Sequence, residues 1–514
     1  MTYLAIPIAA ANVEQGREQI ERASAGGADI VEIRADYLDD VNTAAVRELV
    51  GFAKQLKLKT IVTARDKQQG GAKGIEQDVR LNILADIAAG GADFIDCEFI
   101  NYVHTNIQER IDSAIKGSKC RLIISHHDFA KPFTDIEKLY AEIIGLNAEA
   151  IAKLIYTAKH VNDCFAAMDL LANKESDVIT FAMGQAGLIS RVLAKKLGGF
   201  LTFASLDEAT ATAPGQITIS QLKNIYRWDS INEQTSIYGV IGNPVAQSKS
   251  PLIHNALLAA AGVNSIYLPM LVEGDWLEFK IFADSCIERE KLGAKGFSVT
   301  VPHKENAIEY AHQRGGFVEP LAIQIGAANT LHLAMGQACA YNTDYMGAMD
   351  AIVMGLNGDK GKLHAMPAAV IGAGGAARAV IAALSHAGAK VTIYNRTFEK
   401  SRHLAKVFSC EYQPIEKIAE ISKAKLIVNC TSLGMYPEID STPVRAEFLN
   451  SDMLVFDTVY NPVETKLLKE AKAAGARTVS GLEMFIAQAA EQFKIFTGQT
   501  ADPQIIRNIL TSVF

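Results

Sequence analysis

The 514-residue chain contains no Cys-x-x-Cys pair, no long run of Lys or Arg, and no apolar stretch of membrane-spanning length. Its seven cysteines stand singly at 97, 120, 164, 286, 339, 410 and 430. That pattern argues against a zinc knuckle or a disulfide framework and fits a reducing compartment. A formal net charge of −7 and a pI near 5.9 argue against a nucleic-acid partner. No membrane partner is expected either, and nothing in the sequence sets an oligomeric state. The opening "MTYLAIPIAAANVEQ" has no basic leader and reads as a first strand. A cytoplasmic location is expected, or a plastid one if a transit peptide has been removed. Histidine is also scarce, at 11 residues, so the pair in Ile123-Ile124-Ser125-His126-His127-Asp128-Phe129 draws attention at the end of an apolar run.

What is present is apolar residue in quantity: 49% hydrophobic against 21% charged, enough for large cores. The length suggests about three domains at roughly 150 residues each, although one barrel takes up to about 250. Eight short apolar runs fill the first 225 residues, at 4–10, 30–35, 60–65, 94–99, 121–127, 153–158, 178–184 and 200–205. Helical segments such as "NTAAVRELVGFAKQLK" separate them, and "GGADIVEIR" is echoed by "GGADFIDCE". Eight strand–helix units in this length predict an α/β fold that begins with a (β/α)8 TIM barrel over 1–225. A polar linker follows at 226–236. The pattern then restarts as an α/β substrate-binding domain at 237–345, completed by 485–514, and a Rossmann-type domain at 346–484.

In such a barrel the active site lies at the C-terminal strand ends, and inward side chains alternate along each strand. Glu32 and Arg34 share a face of the second strand, and Arg65 ends the third. Asp96 and Glu98 share a face of the fourth, and the two His end the fifth. Lys153 enters the sixth, Arg191 follows the seventh, and Thr212 and Gln216 follow the eighth. Each alone reads equally well as a solvated strand end or a barrel-filling ion pair. Together they are costly to bury unless paired or functional. Lys153 lies among Ile151, Leu154 and Ile155, where desolvation would disfavour its ammonium and favour a nucleophilic amine.

The segments "EIRADYL", "TAR", "SHHDF", "AKLIYT", "GLISR" and "TAPGQI" resemble the type I 3-dehydroquinate dehydratase family over residues 3–225. The resemblance implies an imine on Lys153 and His127 as general acid/base, leaving His126 without that role. It implies ring-hydroxyl contacts by Glu32, Arg34 and Arg65, a carboxylate held by Arg191, and closure by Thr212 and Gln216. Two departures stand out. Gln69 occupies a place where that family carries an acid before Gly-Gly, and Thr212 replaces a usual Ser. The first implies a slower dehydratase.

In the second half, "VIGAGGAARAV" places Gly372, Ala373, Gly374, Gly375, Ala376 and Ala377 in the form G-x-G-x-x-A between an apolar strand and a helix. That is the setting in which glycines let a pyrophosphate reach a helix N-terminus. The next strand ends in Asn395-Arg396-Thr397, with Lys400 beyond, and not in an acid. A 2′-phosphate is therefore favoured over a bare ribose, and the expected cofactor is NADP(H). Ser248 and Ser250 read by themselves as a turn or helix cap before Pro251, and Lys304 as a surface lysine at a helix start. Thr300, Asn329, Thr343 and Asp344 add polar groups, and a Lys paired with Asp could pass a proton to an alkoxide.

The segments "GNPVAQSKSPLIHN", "FSVTVPHKE", "GAANTL", "NTDYMG", "NCTSLGM", "YNPVETKLL" and "GLEMFIAQAAEQF" resemble the shikimate dehydrogenase family over 237–500. The resemblance implies that Ser248 and Ser250 hold the substrate carboxylate. Thr300, Asn329, Tyr460 and Gln488 would meet ring hydroxyls. Lys304 and Asp344 would form the catalytic pair, with His303 structural. Residues 372–376 and 395–400 would hold the cofactor, with Gly481 near the nicotinamide. No metal is implied. The two resemblances describe consecutive steps with small-molecule substrates: dehydration of 3-dehydroquinate to 3-dehydroshikimate, then reduction to shikimate. The alternatives are quinate as substrate of the second half, or a barrel that serves only as a binding module.

Overall fold

The computed structural model describes residues 2–513 apart from 211, 213, 214 and 335. They form two compact units, residues 1–237 with 264–293 and residues 238–263 with 294–514.

The first unit holds all eight predicted strands: β1 (Tyr3–Ile8), β2 (Ile30–Arg34), β3 (Lys59–Thr63), β4 (Phe94–Glu98), β5 (Arg121–Asp128), β6 (Ile151–Thr157), β7 (Val178–Met183) and β8 (Leu201–Phe203). All pair in parallel in the order β7-β6-β5-β4-β3-β2-β1-β8. Across the remaining seam, the Phe200 N–H donates to the Val178 carbonyl at 2.8 Å. Local chemistry starts the intervening helices. The Asn12 side chain accepts from Gln15 N ahead of Val13–Ala25, Asn42 accepts from Ala45 N ahead of Thr43–Gln55, and Thr218 forms a capping box with Gln221. The segment 264–293, which contains β10 (Ser265–Leu271) and the helix Trp276–Glu288, belongs to this unit by contact.

The two-residue period of a strand sorts the barrel interior into layers. Ala5, Ile30, Ile61, Phe94, Ile123, Ile151, Ile179 and Leu201 form one apolar cluster at the bottom. Two residues further along the same strands come Glu32, Thr63, Asp96, Ser125, Lys153, Phe181 and Phe203. Two further still come Arg34, Arg65, Glu98, His127, Ile155 and Met183. A dry core thus gives way to a polar layer at the strand ends where barrel chemistry is placed.

In the second unit, β9 (Ser236–Gly242), β11 (Ala294–Val299), β12 (Thr330–Ala334) and β13 (Gln337–Tyr341) follow the order β9-β11-β12-β13, the last two pairings antiparallel. A six-stranded parallel sheet follows, made of β14 (Pro367–Ile371), β15 (Lys390–Asn395), β16 (Glu411–Pro414), β17 (Leu426–Asn429), β18 (Leu454–Asp457) and β19 (Arg477–Ser480). Its order, β16-β15-β14-β17-β18-β19, reverses direction between β14 and β17, the crevice where doubly wound sheets bind dinucleotides. Ser480 caps the long helix Gly481–Thr497, which returns to the mixed sheet. On it, Gln492 accepts from the Ser298 hydroxyl and donates to the Asn329 carbonyl and the Thr330 hydroxyl.

Candidate active sites

One cavity at the barrel mouth is lined by eight of the barrel residues singled out from the sequence, Glu32, Arg34, Arg65, His127, Lys153, Arg191, Thr212 and Gln216, and by Gln69, whereas Asp96, Glu98 and His126 do not line it. Thr212 and Gln216 meet through Gln216 Oε1, which accepts from the Thr212 amide at 2.8 Å. Ala213 and Pro214, between them in the "TAPGQI" motif, lie outside the described residues. The side of the cavity that sequence reasoning missed is apolar: Ile155, Phe181, Met183 and Phe203. Phe129 also lines it, stacked on the His127 ring at 5.9 Å.

Beneath the cavity lies a dense ion network. Lys153 Nζ sits 3.1 Å from Glu32 Oε1 and 2.9 Å from Asp96 Oδ2. Arg65 grips both oxygens of Asp96 at 2.8 and 2.7 Å and donates to Ser125, whose hydroxyl donates on to Asp96 at 2.6 Å. Glu98 links Arg65 to Arg80, and Arg34 pairs with Asp36. The lysine expected to be disfavoured as an ammonium by desolvation is instead ion-paired, because Glu32 and Asp96 offset the cost of burying its charge. Arg65, expected at a ring hydroxyl, spends most of its donors on acids. Burial pushes the Asp96 carboxyl up, but Arg65 and Lys153 outweigh that and hold it far below the usual range.

Two groups stand apart from this network. Arg191 is 2% exposed, its Nε and one terminal nitrogen have no hydrogen-bond partner among the described residues, and its guanidinium lies 4.4 Å over the Phe181 ring. Burial pushes its pKa down to about 10. A buried cation without an acid awaits an anion. His127 is held well below the ordinary imidazole pKa, by burial first and then by Arg65 and Lys153. It is neutral near pH 7 and suited to accept a proton. His126 points to the other face of the strand, between Phe99 and Phe133.

In the second unit, Lys304 and Asp344 each begin a helix, Lys304–Gln313 and Asp344–Gly355, and their side chains meet at 2.5 Å. Asn329 donates to Asp344 Oδ1 at 2.9 Å and to the Thr343 hydroxyl at 2.9 Å, which fixes the carboxylate. Gly375 opens the helix after β14, and a Cβ there would lie 3.7 Å from Lys304 Nζ. The glycine turn therefore lies against the Lys–Asp pair. Gly372 has φ +112, a conformation open to glycine, and a Cβ at Gly374 would meet nothing within 4 Å. Arg396, Thr397 and Lys400 are exposed at the end of β15, beside Asn395. Tyr460 stacks on Phe485 at 4.5 Å, and Gln488 lies one turn further along that helix. The Ser248 hydroxyl accepts from the Ser250 amide at the start of Ser250–Ala260, a local turn; the cap residue of that helix is Lys249, which makes no side-chain cap bond. Thr300 follows β11 and contacts Gly242, and Gly481 packs against the Thr458 carbonyl.

Comparison with known proteins agrees region by region. The description "Type I 3-dehydroquinase" matches residues 4–233, and "Shikimate dehydrogenase substrate binding domain" matches 240–331. "Shikimate / quinate 5-dehydrogenase" matches 357–459, and "Shikimate 5'-dehydrogenase C-terminal domain" matches 481–511. The chain is 35% identical to the chloroplastic bifunctional 3-dehydroquinate dehydratase/shikimate dehydrogenase of Arabidopsis thaliana, over 99% of this chain and 84% of that one. It is 40% identical to the shikimate dehydrogenase (NADP(+)) of Methanosarcina acetivorans, over 53% of this chain and 96% of that one. A crystal structure of a shikimate dehydrogenase in complex with NADP+ superimposes with a TM-score of 0.50 at 37% identity, covering 55% of this chain and 97% of that one.

Barrel, mixed sheet and doubly wound sheet, each with its polar cluster, define a bifunctional α/β enzyme that joins a lyase to an oxidoreductase. The chain belongs to the family of bifunctional 3-dehydroquinate dehydratase/shikimate dehydrogenases. No helix among the described residues is long and apolar enough to cross a membrane.

Proposed function

We propose that Lys153 condenses with the ketone of 3-dehydroquinate and that His127 moves the protons of the dehydration. In this reading Arg191 pairs with the substrate carboxylate, which places the ketone over Lys153. The imine draws electrons from the adjacent carbon, His127 Nδ1 or Nε2 removes a proton there, and the neighbouring hydroxyl leaves as water. Hydrolysis of the imine then releases 3-dehydroshikimate. Glu32, Arg34, Thr212 and Gln216 orient the ring. The observation that carries the reading is Arg191, a buried cation with no acid partner among the described residues, in the cavity that holds Lys153 and His127.

The second site reduces 3-dehydroshikimate to shikimate, and its cofactor is NADP(H). The cradle fits that group: the turn at Gly372 to Ala376 leaves open space at Gly374, and Arg396 and Lys400 offer cations where a 2′-phosphate would lie. Asn395, Thr397 and Gly481 complete the contacts. When bound, the cofactor supplies a hydride. Lys304 delivers a proton to the substrate oxygen, and Asp344, steadied by Asn329, holds Lys304 in place. Ser248 and Ser250 bind the carboxylate, and Thr300, Asn329, Tyr460 and Gln488 the ring hydroxyls. The assigned domain limits, 1–225, 237–345 with 485–514, and 346–484, divide these tasks. The location we assign is cytoplasmic, or plastid where a transit peptide precedes the chain.

Borohydride reduction in the presence of 3-dehydroquinate tests the first site. The expected product is a covalent adduct on the Lys153 peptide. An adduct elsewhere, or none, contradicts the imine assignment.

A further inference from the structure

The Lys153 nitrogen is held by two carboxylates, and the imine reading leaves room for only one. Its ammonium has three N–H groups, of which two serve Glu32 Oε1 at 3.1 Å and Asp96 Oδ2 at 2.9 Å. Condensation converts R–NH3+ and O=CR2 into R–NH+=CR2 and H2O. The charge stays at +1, but a single N–H remains.

The two acids are not equivalent. Asp96 is fully buried and immobilised by the paired Arg65 donors and the Ser125 hydroxyl. Among the described residues, the hydrogen bonds to Glu32 come from Thr63 and Lys153, both on Oε1. Arg65 approaches it only to 3.9 Å. Glu32 also lines the cavity, and Asp96 does not. Leaving a buried positive nitrogen without its fixed counter-charge is costly, whereas Glu32 can exchange one partner for a substrate hydroxyl.

We propose that Asp96 is the counter-ion of the Lys153 iminium throughout the dehydration, and that Glu32 lets go of the nitrogen as the imine forms. Glu32 accepts one ammonium proton, which frees the amine to attack the ketone carbon. It returns that proton to the alkoxide, takes a second proton from the R–NH2+ nitrogen of the adduct and delivers it to the new hydroxyl, so that the C–O bond breaks with loss of water. The N–H that remains stays on Asp96 Oδ2.

The proposal rests on the imine reading, so the wild-type borohydride experiment comes first; an unlabelled wild type removes both. With labelling at Lys153 established, Asp96→Asn and Glu32→Gln are compared in the full chain. Asp96→Asn is expected to label about 100-fold more slowly, in the range seen for lost transition-state partners. Its kcat profile, which reports the enzyme–substrate complex, is expected to lose activity at lower pH on the alkaline side, because the iminium has lost its counter-charge. Glu32→Gln is expected to label more slowly too, yet to the wild-type extent and with the alkaline limb of kcat unmoved. Wild-type labelling and profile in Asp96→Asn, or an alkaline shift of kcat in Glu32→Gln alone, overturns the proposal. If a thermal melt shows that Asp96→Asn does not fold, Asp96→Glu and Glu32→Asp give the same comparison with the charges retained. The slower labelling is then expected in Asp96→Glu, and the reverse order overturns the proposal.

Discussion

Gln69 Oε1 accepts the backbone N–H of His127 at 2.8 Å. The side chain is buried and lines the dehydratase cavity, so it fixes the strand end that carries the proposed base without adding charge. With no carboxylate in that place, burial and then Arg65, Lys153 and Arg34 depress the His127 pKa, against an opposing pull from Asp96. In Gln69→Glu the new carboxylate stabilises the imidazolium and raises that pKa. The acid limb of kcat/KM for dehydration is expected to move to higher pH, and the plateau rate to rise as the base strengthens. An unmoved limb contradicts this account of His127.

The two adjacent histidines differ by face. His127→Ala is expected to lower dehydratase kcat by about 10²–10⁴-fold, the usual range for a lost general acid/base. His126→Ala, which removes a ring packed on Phe99 and Phe133, is expected to cost much less. Steady-state rates of the two variants decide the order, and the opposite ranking reverses the assignment.

Arg191 carries a stability cost. Replacing it with Met removes a buried cation that has no acid partner among the described residues and fills similar volume, so the barrel is expected to gain on the order of 1–4 kcal/mol. The same variant is expected to lose dehydratase activity while reduction of 3-dehydroshikimate persists. Thermal melting together with separate assays of the two steps reads both effects. A lower melting temperature would mean that Arg191 has a protein partner in the folded state.

How much of this was legible in the sequence follows from where the partners lie. Strand alternation placed Ile123, Ser125 and His127 on one face and His126 on the other, and the structure shows the same split. It could not say which face was inward, because that depends on the closed sheet. Lys153 was legible as a buried lysine but not as an ion-paired one, since Glu32 and Asp96 are 121 and 57 residues away in sequence. Asp96 drew notice only as a polar strand residue for the same reason. The glycine turn was readable locally, whereas the approach of Gly375 to Lys304 spans 71 residues and is a product of tertiary folding. The apolar cavity wall of Ile155, Phe181, Met183 and Phe203 read simply as strand core.

Cofactor choice rests on an exposed cluster. Arg396→Ala is expected to raise KM for NADPH by about 10- to 100-fold, as expected for a lost charge-assisted contact, and to leave KM for NADH within a few-fold. Equal losses with both cofactors contradict the assignment of Arg396 to a 2′-phosphate. Shikimate and quinate turnover measured in parallel sets the substrate preference of this half.

The central claim, two separable sites acting in sequence on one chain, meets its most direct test in a single coupled assay. 3-Dehydroquinate and NADPH are mixed with the enzyme, and NADPH loss is followed in the wild type, Lys153→Ala and Lys304→Ala. The wild type is expected to consume NADPH without any added enzyme. Lys153→Ala should be silent with 3-dehydroquinate yet active when given 3-dehydroshikimate. Lys304→Ala should accumulate the conjugated enone without consuming NADPH. Undiminished NADPH loss from 3-dehydroquinate in Lys153→Ala, or in Lys304→Ala, would contradict the account.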